Sequence, residues 1–195
     1  MILKSGQRNR GSLMEIKKLV HLTMDEVVTL GDFGYVSSQK YEVKKEESLH
    51  AVSINMNLID LDEPYVKQEM NEEDDLNRYE ELVKQGYSLG LYIDNKLAAL
   101  AISEAQTWNN TLMLWHLHVH EDHRRQKYGY MLLNKVIELA QENGFRAVTL
   151  ETQNTNVPAI HFYKQCGFEI EGIDLSMYDL GAGNEEVALF MRRKF

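Results

Sequence analysis

The sequence predicts an α+β fold: one domain with a mixed, mostly antiparallel twisted sheet and helices on both faces. Three observations carry this. Two apolar segments, Tyr87 to Ile93 and Leu97 to Ala105, flank the turn Asp94-Asn95-Lys96 as a hairpin does. Strand, helix, strand and helix patterns then follow one another from Leu112 to Gly167. The tail supplies two further strand candidates, Phe168 to Met177 and Val187 to Arg193.

In chain order, residues 1–13, with Lys4, Arg8 and Arg10 among glycines and serines, read as a flexible leader before a domain over 14–195. A strand near Tyr35 to Lys45 precedes Val52, Ile54, Met56 and Leu58, whose alternation with polar residues predicts a half-buried strand. Leu76, Tyr79, Leu82 and Val83 recur at helical spacing before Gly86, which suits the position just past a helix end. After Trp108-Asn109-Asn110 comes an apolar strand, Leu112 to Val119. Leu132, Leu133, Val136, Ile137, Leu139 and Ala140 form a helical stripe within Tyr128 to Asn143, closed by Gly144. Ala147 to Thr152 reads as a buried strand. Asn156 caps a short helix with Pro158 in its first turn, and Gly167 closes it.

Composition narrows the function. At 44% hydrophobic the chain can bury a full core, and no apolar run approaches the roughly 20 residues of a bilayer span, so a soluble cytoplasmic protein with no membrane partner is expected. Cys166 is the only cysteine, which excludes an internal disulfide and a cysteine-based metal cluster. The net charge of −9 is concentrated at Asp60 to Glu81, where acidic positions 60, 62, 63, 69, 72–75, 80 and 81 face only Lys67 and Arg78. Such a face disfavours nucleic acid and gathers cations, or simply aids solubility.

The most informative segment is Arg124-Arg125-Gln126-Lys127-Tyr128-Gly129-Tyr130. It turns from a strand into a helix, offering unpaired backbone N–H groups beside arginine charge, an arrangement suited to a pyrophosphate. With the preceding Leu117-His118-Val119, this segment resembles the pyrophosphate loop of the GNAT superfamily of acyl-CoA-dependent N-acyltransferases. Asn156-Val157-Pro158-Ala159 followed by Phe162-Tyr163-Lys164-Gln165-Cys166-Gly167-Phe168 resembles the second signature of that superfamily. Leu150-Glu151-Thr152-Gln153 and Glu63-Pro64-Tyr65 are similar to strings of streptothricin acetyltransferases, which modify an amine of a cationic antibiotic.

The resemblance implies a splayed parallel strand pair, acetyl-CoA as co-substrate and a small cationic amine as acceptor, in a monomer or homodimer. It implies main-chain contacts to the cofactor from Leu117, His118 and Val119, pyrophosphate binding by Arg124 through Tyr130, and cofactor contacts from Asn156, Ala159 and Tyr163. A non-catalytic acyl-CoA sensor and an enzyme acting on a protein or peptide amine are the competing functions.

Tyr163 is the expected general acid, since a phenol pKa of about 10 is near a thiol's 8.5; it also fits a core aromatic. The position of the expected base is altered: Met113 and Trp115 stand where many relatives carry Glu or His, so Trp115 is read as a pocket wall. Glu151, a carboxylate in an apolar strand, is the candidate for binding or deprotonating the amine, or else pairs with a basic neighbour. His116, His118 and His120 alternate on the face opposite Met113, Trp115 and Leu117 unless a bulge rotates the strand, and no metal is expected there. Lys127 replaces the loop's usual glycine, so it must adopt an ordinary conformation or accept strain.

Overall fold

A computed structural model describes residues 13–68, 73–179 and 186–195, with the side chains of 73–75 also outside the description. The expected leader lies outside the described residues apart from Leu13, whose backbone exchanges hydrogen bonds with Asp94. The acidic positions 69 and 72 likewise lie outside them.

Nine strands and four helices are present among the described residues. They run β1 (Met14–Lys18), α1 (Met24–Thr29), β2 (Tyr35–Glu47), β3 (Val52–Lys67), α2 (Glu73–Val83), β4 (Leu89–Ile93), β5 (Lys96–Gln106), β6 (Thr111–Val119), α3 (Tyr128–Glu142), β7 (Ala147–Gln153), α4 (Val157–Gln165), β8 (Glu169–Asp174) and β9 (Ala188–Lys194). Seven strands form one sheet in the order β1-β4-β5-β6-β7-β9-β8. Every neighbouring pair in it is antiparallel except β6 and β7. The β4–β5 hairpin turns through Asp94 and Asn95, both at positive φ, the geometry whose twist suits two-residue hairpins.

The helices cover both faces because their apolar stripes find different partners. On one face Leu132, Leu133, Val136 and Ile137 of α3, with Ile160 of α4, pack on Leu91, Ala99, Leu112, Leu114, Val148 and Leu150. On the other, Val27 of α1 and Leu82 and Val83 of α2 join Leu19, Leu22, Leu30 and Phe33 over Leu97, Leu100 and Ile102. Each such buried leucine or valine contributes on the order of 1.5–3 kcal/mol.

Two elements had no periodicity to show. The strand β1 is too short, and α1 is a six-residue helix held by a capping box: Thr23 Oγ1 accepts from Glu26 N–H while the Glu26 carboxylate accepts from Thr23 N–H. That Thr-x-x-Glu box is the signal that could have found it.

The segment around Val52 is a strand, but not a half-buried one. The strands β2 and β3 pair only with each other as a long ribbon, and Val52, Ile54 and Leu58 stay 59%, 41% and 41% exposed. Met56 and Tyr41 reach the core. The ribbon is pinned at buried Asn154, which exchanges backbone bonds with Tyr41 and Val187 and gives its side chain to both (Nδ2 to Tyr41 O, 2.9 Å; Oδ1 from Val187 N, 2.8 Å).

Candidate functional site

The parallel strands β6 and β7 pair from Thr111–Ala147 to Leu114–Leu150 and no further. Beyond that rung β6 continues against β5 alone. His120 N–H donates to Ala98 O, and because bonded pairs alternate along an antiparallel ladder, His118 also spends its main chain on β5. The main-chain groups of Leu117 and Val119 therefore turn toward the gap on the β7 side. The His118 backbone faces β5, and its side chain is buried on the opposite face against Phe33.

At the end of β6 a single 3₁₀ turn, Glu121–His123, leads into α3. Lys127 takes the left-handed conformation (φ 67°, ψ 10°), as does Arg125 (φ 62°), so lysine keeps the glycine-like backbone and accepts the strain. The first helical bond is Met131 N–H to Lys127 O. Among the described residues the amides of Tyr128, Gly129 and Tyr130 meet no protein acceptor, and no side chain caps the helix. Arg124 Nε donates to Val119 O (3.1 Å) and Gln126 Nε2 to Asp122 O (3.1 Å), which folds both side chains back along the loop. A helix start with free amides beside arginine can receive an anion, both in charge and in hydrogen bonding.

On the same face, α4 starts where Asn156 Oδ1 accepts from Ala159 N–H (3.2 Å). One turn on, Tyr163 lies between Phe162 and Phe168, at ring separations of 5.4 and 5.7 Å. Burial there pushes its phenol pKa up, so it keeps its proton over the whole working range of pH. Its hydroxyl finds no hydrogen-bond partner among the described residues. The ring is packed as a core aromatic, between Phe162 and Phe168.

The opposite face is set by a bulge. Ile102 pairs with His116 and Ser103 with Leu114, leaving Trp115 as the extra residue. Leu114 and Leu117 point toward α3, whereas Trp115 packs with the α1/α2 cluster, and His116 and His118 stack on Phe33 at 4.5 and 4.1 Å. The bulge thus brings the tryptophan and the histidines, expected on opposite faces, onto one. Neither histidine is poised as a base. Burial holds both down to about 4, His116 is bonded to the Tyr79 hydroxyl (3.2 Å), and His118 Nε2 must carry the proton it donates to Leu30 O (2.9 Å). No group of three metal-binding side chains occurs among the described residues.

Glu151 is the first residue of β7 past the last rung to β6. Since Leu150 belongs to the α3 side, Glu151 projects to the side of Trp115. Its Oε1 accepts from the Tyr178 hydroxyl at 2.5 Å, and Gln153 Nε2 donates to that same hydroxyl at 3.0 Å. Burial and the adjacent carboxylate raise the Tyr178 pKa, keeping it a donor. The Tyr178 phenol is thus one partner of the Glu151 carboxylate.

Tyr178 was not legible as a site residue, and neither was the cluster beside it. Glu186, 3% exposed, holds Lys67 Nζ at 2.6 Å, the Tyr65 hydroxyl at 2.9 Å, the Tyr35 hydroxyl at 3.2 Å and Thr155 Oγ1 at 3.3 Å. Burial alone would raise its pKa, but Lys67 and the phenols outweigh burial and hold it low. Lys67 Nζ lies 5.7 Å from the Tyr178 ring, so the root of the ribbon borders the site. No sequence signal joins residues this far apart.

Comparison with known proteins agrees with this geometry. Residues 55–168 match the family model described as Acetyltransferase (GNAT) family. Streptothricin acetyltransferase A of Bacillus subtilis (strain 168) is 33% identical over 132 residues, 68% of this chain and 75% of that protein. The streptothricin acetyltransferase of Streptomyces lavendulae is 35% identical over 98 residues, about half of each chain (50% and 52%). In fold, a nourseothricin acetyltransferase crystal structure superposes with a TM-score of 0.71 at 23% identity, covering 93% of this chain and 98% of that one. A Bacillus anthracis structure named as a streptothricin acetyltransferase, solved with acetyl coenzyme A, gives 0.70 at 21% identity, covering 94% and 100%. With more than half its length in the family match, and with the split strand pair and its uncapped helix in place, the chain belongs to the GNAT family of acetyltransferases.

Proposed function

We propose that this acetyltransferase moves acetyl from acetyl-CoA to a primary amine of a small, cationic, streptothricin-like acceptor, by direct attack in a ternary complex. The observation that carries the reading is the parting of β6 and β7 past Leu114 and Leu150, with free amides at the start of α3 and the Glu151 carboxylate on the opposite face. Acetyl-CoA supplies a thioester whose carbonyl carbon is electrophilic.

The residues divide the work by face. Amides from Arg125 to Tyr130, with the Arg124 and Arg125 charges, hold the pyrophosphate, while the Arg124 N–H itself is spent on Glu121 O. Leu117 N–H meets the thioester oxygen, Val119 pairs with the pantetheine arm, and Asn156 and Ala159 line the helix that flanks it. A free amine of pKa about 10.4 is neutral in only about one molecule in 2,500 at pH 7. Glu151 binds the ammonium form and takes its first proton, directly or through water; the neutral amine then attacks the carbonyl carbon, and as the C–S bond of the tetrahedral adduct breaks, the second N–H proton passes through water to the departing thiolate. Tyr163 gives its hydrogen bond to the departing sulfur; its raised pKa makes complete proton transfer to the thiolate harder and makes stabilisation by hydrogen bonding its main contribution. The lone thiol, Cys166, is buried and plays no part, and a chain without disulfides suits the cytoplasm.

The test is thiol release from acetyl-CoA, followed colorimetrically with streptothricin, spermidine and a lysine peptide as acceptors. Release with streptothricin above the other two is expected, and a protein that only senses acyl-CoA gives none with any. Tyr163→Phe is expected to cut kcat about 10–100-fold with little change in acetyl-CoA affinity. Equal losses in affinity and rate would make the ring a packing element only.

The loop offers a separate check. Lys127→Gly removes left-handed strain of about 1 kcal/mol, and the melting temperature is expected to rise by about 2–4 °C. Calorimetric titration of that variant with acetyl-CoA is expected to show tighter binding. Unchanged affinity would mean that the lysine ammonium compensates fully at the pyrophosphate.

A further inference from the structure

The Trp115 ring is already a cation-binding surface. The guanidinium carbon of Arg78, an exposed side chain on α2, lies 3.9 Å from the centroid of the ring. The indole N–H donates to Glu104 Oε2 at 2.6 Å, a charge-assisted bond that adds electron density to the ring and fixes its plane. Gln106 Nε2 donates to the same oxygen at 3.0 Å and holds that carboxylate in place.

The position of this platform is what gives it meaning. Trp115 follows Leu114 and Glu151 follows Leu150, the two residues of the last rung between β6 and β7, so the ring and the proposed amine-binding carboxylate both leave the same face of the sheet at the point where the strands part. Glu104 is paired with Met113 and therefore shares their face. Two carboxylates and an indole thus line one side of the acceptor region. Glu104 is committed to the indole N–H.

We propose that the face of Trp115 is a subsite for a second positive charge of the acceptor, and that Arg78 is a resident cation which the acceptor displaces. The inference rests on the acetyltransferase reading of the same site and narrows its substrate class to amines carrying two or more positive charges. One charge sits at Glu151 and reacts; the other sits on the indole and sets specificity. A monoamine reaches Glu151 but leaves Arg78 in place. The Arg78 side chain can be displaced because the residue is exposed and its stem is flexible, so exchange of one cation for another on the ring does not disturb the core.

The chain has two tryptophans, so a Trp108→Phe protein reports on Trp115 alone. Its emission is titrated with spermidine and, at matched ionic strength, with propylamine. A saturable change with spermidine and none with propylamine is expected. In the thiol-release assay, Arg78→Met, which keeps an apolar stem over the ring, is expected to lower KM for spermidine about fivefold and to leave KM for propylamine unchanged. Trp115→Leu is expected to raise KM for spermidine about tenfold with kcat changed less than twofold.

Unaltered emission, or an Arg78→Met protein whose KM for spermidine rises or stays constant while thiol is still released, overturns the subsite. Absence of thiol release with every amine, while emission still titrates with spermidine alone, would sink the reaction and leave the subsite standing.

Discussion

Glu151→Gln is expected to lower kcat by about 10²–10³-fold, the loss of a group that holds the amine and receives its proton. The substitution is isosteric, and Gln can still accept from the Tyr178 hydroxyl, so the melting temperature should stay close to that of the unaltered protein. Tyr178→Phe keeps the carboxylate but removes the donor bound to it at 2.5 Å. A smaller loss in kcat of about tenfold is expected, because the carboxylate is no longer held in place by the phenol. Steady-state thiol release across pH 6–9 measures both. If Glu151→Gln melts early and loses rate only in proportion to folded protein, the carboxylate is structural and the base must be sought elsewhere on the face.

Acid should unfold this protein sooner than its carboxylates alone would. His116 and His118 are held down to about 4 by burial, against an ordinary value near 6.5, so the unfolded chain binds more protons than the folded one between those pH values. Their contribution is complete above pH 6.5 and drains away as the pH falls toward 4. Two protons correspond to about 2.7 kcal/mol per pH unit, and by pH 5 the loss reaches about 3–4 kcal/mol, a large share of a typical domain's stability. Urea unfolding at pH 7, 6 and 5 measures it. His118→Gln can still donate to Leu30 O and should remove about half of the slope. A stability constant from pH 7 to 5 would show that the two rings are hydrated or charged in the fold.

These predictions depend on features of unequal legibility. The helices α3 and α4 were readable because an apolar stripe and its punctuation occur within one short segment: Leu132 to Ala140 before Asn143-Gly144, and Asn156-x-Pro158 before Gly167. Gly86, Gly144 and Gly167 all take positive φ, where a glycine just past a helix was expected. The hairpin at Asp94-Asn95 was legible for the same local reason. The short β1 and α1 carried too few residues for any period to register. The ribbon kept the alternation of a half-buried strand but has no sheet behind most of it, and alternation reports a two-sided strand without saying what covers either side.

The order of elements, the anion-binding turn and the two family signatures were present in the chain as a string, because each rests on contacts between residues a few positions apart. The face on which Trp115, His116 and His118 lie came from a single bulged residue opposite β5, and one extra residue inverts every side chain after it. The phenol that holds Glu151 lies 27 residues away and the ties of Glu186 reach across 31 to 151 residues, so these meet only when sheet, ribbon and tail close on one another. Local bonding is written in spacing; the environment of a buried charge is made by the groups that folding brings to it.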